Sequence, residues 1–143
     1  MPPTADDLDL SEWALRRDLK GARQGRACAI GFLRTPAAYF GYSDRPTVME
    51  DPPEGFLARL SDLGLPLKLA SEVKATSDSR YEYRDASSNP ADLYLVRVVW
   101  SGDAPSVEQI YDGGAMRSSA WIVRVEHRGT GWEFVEQLPL WER

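Results

Sequence analysis

Leu93-Tyr94-Leu95-Val96-Arg97-Val98-Val99-Trp100 is the stretch on which the fold turns. Alternate residues of a strand project to opposite faces. Here both sets are apolar: Leu93, Leu95 and Val99 on one face, Tyr94, Val96, Val98 and Trp100 on the other. A strand of that kind is covered on both sides.

Around it the chain has the rhythm of strands. Leu67 to Thr76, Arg80 to Ala86, Leu93 to Ser101, Ser106 to Tyr111, Ser119 to Arg128 and Trp132 to Leu138 are separated by turn-forming groups. These are Ser77-Asp78, Ser87-Ser88-Asn89-Pro90, Gly102-Asp103, Gly113-Gly114 and Gly129-Thr130-Gly131. Links this short join antiparallel neighbours. Gly113-Gly114, and Gly129 with Gly131, can supply the positive φ angles that tight hairpins need.

The N-terminal half reads differently. Asp6 to Arg23 has helical spacing, with Leu8, Leu15 and Leu19 near one stripe and Trp13 beside it. Asp9 and Glu12 stand at capping-box spacing, and Gly21 and Gly25 close the helix. Ala27 to Leu33 is a short apolar strand, and Arg34 to Pro53 a proline-rich loop pinned by Tyr39, Phe40 and Tyr42. Pro53 to Leu63 is expected as a second helix, stopped at Gly64. The expected fold is therefore α+β: N-terminal helices packed on a curved antiparallel sheet of about five to six strands, in one domain spanning residues 1–143. Two helices cover only one face of such a sheet. The other face is expected to meet a second copy of the chain, sheet against sheet, in a homodimer.

Composition narrows the function classes. The chain has 143 residues, 43% hydrophobic and 27% charged, as ordinary globular domains do. A net charge of -5 argues against nucleic acid, whose binders present a basic face. Arg16, Arg17, Lys20, Arg23 and Arg26 do cluster, and read as the solvated face of a helix near its C-terminal end. Cys28 is the only cysteine, which suits a reducing compartment. The acidic start, Met-Pro-Pro-Thr-Ala-Asp-Asp, lacks the pattern of a signal peptide, and no stretch approaches a membrane span. The expected compartment is the cytoplasm.

Several residues of the C-terminal half form a further pattern: Ser71-Glu72-Val73-Lys74, Asp85, Tyr111-Asp112-Gly113-Gly114, Ser119, Trp121, Val123, Arg124, Gly131-Trp132-Glu133-Phe134-Val135 and Leu140-Trp141. With helices ahead of a strand meander, this resembles the cystatin-like cone of the nuclear-transport-factor-2-like families. It is similar to small bacterial proteins of unknown function in that superfamily, with a Tyr-x-Gly-Gly strand end, a Gly-x-Trp strand and a terminal Trp. The matching residues are turn glycines and core aromatics, which specify shape rather than chemistry. The resemblance implies that an enzyme of this type would work inside the cone. A carboxylate or His would shuttle protons, and Tyr or Trp would hold an apolar substrate.

The candidates for such chemistry are few. His127 is the sole histidine, in phase with Trp121, Val123 and Val125 but two residues before a turn glycine, where strand ends become wet. Tyr81 and Tyr83 alternate with Asp85, a carboxylate beside phenols that could have a raised pKa. Asp85 also precedes Ala-Ser-Ser-Asn-Pro and is suited to begin a turn. The candidate catalytic residues are thus Asp85, His127 and Tyr83, and the candidate binding residues Tyr81 and Trp121. One His and one Cys do not compose a transition-metal site, and no phosphate-binding glycine motif is present, so no metal or cofactor is expected.

The leading functional reading is a non-catalytic module that binds a small apolar molecule or a protein. Its rival is a small-molecule lyase or isomerase with Asp85 or His127 as base and Tyr81 or Tyr83 as hydrogen-bond donor. A third is an acidic surface for a basic partner protein.

Overall fold

The computed structural model of the chain describes residues 3–42, 44–76, 81–114 and 117–143. Helix α1 runs over Ala5–Leu19. It starts at Thr4, whose Oγ1 accepts from the Asp7 N–H at 3.1 Å while the Asp7 carboxylate accepts from the Thr4 N–H at 3.0 Å. This reciprocal pair satisfies donors that a helix start leaves open. The capping box expected at Asp9 and Glu12 therefore lies nearer the N-terminus, at Thr4 and Asp7, and Asp9 pairs with Arg59 instead. α1 buries Leu10, Ser11, Ala14, Leu15 and Leu19 against the sheet.

The helix stops short of Arg23, and that changes the meaning of the basic cluster. Arg16 reaches Asp62 at 2.8 Å and Glu12 at 3.0 Å. Arg23 and Arg26, beyond the helix, reach across to the sheet and bind Asp92 at 2.6 and 2.8 Å. Expected as a solvated helix face, the cluster is in part a set of tertiary ion pairs.

Strand β1 is Ala27–Leu33, buried along its whole length. Strands β2 (Met49–Glu50), β3 (Leu67–Leu69), β4 (Val73–Ala75) and β5 (Tyr83–Asp85) are short; β6 (Pro90–Ser101), β7 (Ala104–Asp112), β8 (Ser118–Arg128) and β9 (Gly131–Glu142) are long. Among the described residues they form one nine-stranded sheet, with the main order β2-β1-β6-β7-β8-β9. β6 to β9 are the antiparallel meander read from the sequence. β1, however, pairs parallel with both β6 and β3, so the sheet is mixed. Parallel neighbours need a long crossover, and residues 34–89 supply one. Gly31 shows how closely that part packs: a Cβ there would lie 2.7 Å from Leu95 Cδ2 and 2.9 Å from Ala70 Cβ.

The crossover carries three 3₁₀ turns, Ala37–Tyr39, Leu57–Leu63 and Ala70–Glu72. The expected second helix is the middle one; it buries Leu60 and ends at Gly64 with φ +69°. Just ahead of it, Phe56 meets Phe32 edge-on at 5.1 Å. The expected strand over Leu67 to Thr76 is broken by the third turn.

β6 is covered on both faces from Ala91 to Val96, while Val98 and Val99 are half-buried and Trp100 is exposed. Tyr94 and Val96 pack with Leu10, Leu15 and Leu19 of α1. Leu93 and Leu95 pack on the other face with Leu33, Ala37, Ile110 and Ala120, and the partly buried Phe40, Ala70 and Trp141 close over them. Trp141 stacks on Phe40 at 6.0 Å and donates its indole N–H to the Ala37 carbonyl at 2.9 Å. Part of the second cover is thus supplied by the loop after β1 and by the last strand. A helix long and apolar enough to cross a membrane is absent among the described residues.

Candidate functional site

Between the C-terminal turn of α1 and the helix-facing side of β6, β7 and β8 lies an open cleft in two lobes. One, of about 340 Å³, is lined by Asp18, Tyr94, Tyr111, Arg117, Ser119 and Trp121. The other, of about 470 Å³, adds Arg17, Lys20, Gln109 and Gln137 and shares Asp18, Gly21 and Trp121 with the first. The register explains the convergence. Tyr94 pairs with Tyr111, Tyr111 with Ser119, and Gln109 with Trp121, so these side chains share the face on which α1 rests.

Asp18 follows Ala14 by one helical turn and so falls on the buried face of α1. Its Oδ2 is buried and meets no hydrogen-bond donor among the described residues. Desolvation pushes its carboxyl up to about 7. The neighbours are affected in turn. Burial, with lesser contributions from Asp92 and Asp18, raises the Cys28 thiol to about 11, and burial together with the nearby thiol and acids raises the Tyr94 phenol. Opposite Asp18, the Trp121 indole N–H donates to Gln109 Oε1 at 3.1 Å, and Gln109 Nε2 donates to the Ala14 carbonyl at 3.2 Å. This relay fixes the indole and ties α1 to the floor of the cleft.

Two other acids are buried in or beside the sheet, and both are satisfied. Asp92 accepts from Arg23, Arg26 and the Tyr111 hydroxyl. Burial raises its pKa, but the bonds from Arg23 and Arg26 outweigh this and hold it below the usual carboxylate range. Asp112 accepts from the Tyr83 hydroxyl at 2.8 Å, the Tyr81 hydroxyl at 3.3 Å and the Gly114 N–H at 3.0 Å. There desolvation prevails over the donors and the carboxyl is raised.

The sequence candidates do not gather. Tyr81 and Tyr83 do serve one carboxylate, with their rings edge-on at 6.1 Å, but it is Asp112 and not Asp85. Asp85 is half-buried and is held in a turn. It accepts from the Asn89 and Ser87 N–H groups, each at 2.9 Å, and its pKa is lowered, chiefly by the Asn89 N–H. His127 is exposed near the end of β8, its ring 4.8 Å from that of Trp132. Only Trp121 lies in the cleft.

Asp18 was missed because the stripe drawn through Leu8, Leu15 and Leu19 passes beside it. A stripe through Leu10, Ala14, Leu15 and Leu19 includes position 18, and an acid in such a stripe is the signal. Gln109, a polar residue facing the helix between Val107 and Tyr111, is a second signal of the same kind. No group of three or more His, Cys, Asp and Glu gathers as a metal-binding set among the described residues. Compared with models of protein families, with curated proteins and with solved structures, the chain matches none.

Proposed function

We propose that the chain is a binding domain whose cleft at the end of α1 takes a small, partly apolar molecule. Asp18 is its polar anchor and Trp121, Tyr94 and Tyr111 are its aromatic walls. One observation carries this: the buried Asp18 Oδ2 has no hydrogen-bond partner among the described residues, beside aromatic side chains in an open cleft. A buried polar group without a partner costs on the order of 1–3 kcal/mol, and a ligand donor or acceptor placed there would recover it. In this reading the chain is a cystatin-like, nuclear-transport-factor-2-like cone, with the leading helix resting on the strand meander.

A second reading, acid–base catalysis as a lyase or isomerase, is favoured by the carboxyl at about 7, where a group exchanges protons readily at neutral pH. In that reading Asp18 replaces Asp85 and His127 as the base. Tyr94 is the nearby phenol, because the Tyr111 hydroxyl is held by Asp92.

Native mass spectrometry of the protein from its own host, beside the Asp18→Ala and Trp121→Ala variants, tests the binding reading. A retained small molecule, lost in both variants, is expected. A ligand held equally by all three proteins would place binding elsewhere. Turnover of that molecule by wild type and not by Asp18→Asn would select the enzyme.

A further inference from the structure

The chain carries 22 acidic against 17 basic side chains, yet the cleft lining reverses that balance. Arg17, Lys20 and Arg117 line its two lobes, and Asp18 is the one acid among the lining residues. No carboxylate forms an ion pair with any of these three cations among the described residues. Arg17 is braced by stacking, its guanidinium 4.3 Å from the Phe134 ring and 5.0 Å from Trp13. Lys20 caps α1, and Arg117 is exposed just ahead of β8. By contrast Arg23, next in space past Tyr111, is fully engaged by Asp92.

We propose that the ligand of this cleft is a small organic anion, an aromatic or otherwise flat carboxylate. Its charged group meets the cationic rim, which Lys20 lines in one lobe and Arg117 in the other, and its ring rests against Trp121, which both lobes share. This rests on the reading of the cleft as a binding site and names the ligand class. Opposite charges a few ångströms apart at a protein surface attract with several times the strength they have in bulk water, so the rim favours an anion over its neutral analogue. Trp121, fixed by Gln109, offers the flat wall. A neutral Asp18 can donate a hydrogen bond to such a ligand, whereas an ionised one would repel it.

The test is isothermal titration of the whole chain with benzoate, 2-naphthoate and indole-3-acetate, each beside its neutral amide, at pH 6 and low salt. The acids are expected to bind about tenfold or more tightly than their amides, with the ratio falling toward one in Arg117→Gln, in Lys20→Gln and in 0.5 M salt. Lys74→Gln, on the far groove by Arg84, should leave the ratio unchanged. Equal binding of acids and amides, lost in Trp121→Ala, would overturn the anion and leave the cleft standing. Failure of every acid and amide to bind would overturn both.

Discussion

The Trp121 indole and the Asp18 carboxylate line both lobes of the cleft, and the indole is held there through Gln109, which bonds the carbonyl of Ala14 one turn before Asp18. Gln109 is 2% exposed, so its two bonds are made away from water. Gln109→Ala leaves the Trp121 N–H without its acceptor and removes the tie to the Ala14 carbonyl, and should cost about 1–3 kcal/mol in urea unfolding. A loss below about 0.3 kcal/mol would show that the relay does not hold the helix to the sheet.

Stability should fall as pH rises through neutrality, and Asp18 is the reason. Its folded pKa, about 7, lies above the ordinary 3.8, so the folded state binds the proton more tightly than the unfolded chain. Its contribution is fully present below about pH 4 and lost as pH rises through 7, by up to about 4 kcal/mol. Asp18→Asn removes the charge and nearly keeps the shape. At pH 8 the variant should melt several degrees above wild type, with the gap closing at pH 5; equal melting at both values would contradict the buried carboxylate.

Asp92 has the opposite sign. Its pKa is held down by Arg23 and Arg26, so the stability it gives is present above the unfolded value and is lost as pH falls through the folded one. Asp92→Asn leaves two arginines, with side chains 32% and 17% exposed, around an uncharged partner. The expected cost is about 3 kcal/mol, measured by denaturant midpoint at pH 7. A change under about 1 kcal/mol would reduce this clamp to a surface pair.

Tyr83→Phe tests the other buried acid. The phenol gives Asp112 its shortest side-chain hydrogen bond, 2.8 Å, and lowers a carboxyl that burial raises. Its removal should cost about 1–3 kcal/mol and move the Asp112 titration further up. An unmoved titration would mean that Tyr81 and the Gly114 N–H suffice.

The long strands were legible because alternation and turn glycines are local signals: β6 to β9 follow the sequence pattern to within a few residues at each end. The parallel pairing of β1 was not, because a seven-residue apolar run such as Ala27–Leu33 shows that a strand is buried but not which way its neighbour runs. Pro53 to Leu63 has a helical apolar face but tightens into a 3₁₀ turn. Among the candidate residues, Trp121 is the one that lines the cleft. Pairing Tyr81 and Tyr83 with Asp85 failed because the phenols reach past β6 to Asp112 on β7, a contact no linear spacing encodes. Arg23 and Arg26 misled for the same reason: their partner Asp92 is far away in sequence.

The cleft depends on the state of one side chain, and carbon-detected NMR of the Asp18 carboxyl across pH 3 to 9, assigned with Asp18→Asn, reads it directly. A midpoint near 7 is the expected result, matching a desolvated and unpartnered acid. A midpoint near 4 would mean that water or a donor reaches Oδ2, and the cleft would lose its anchor.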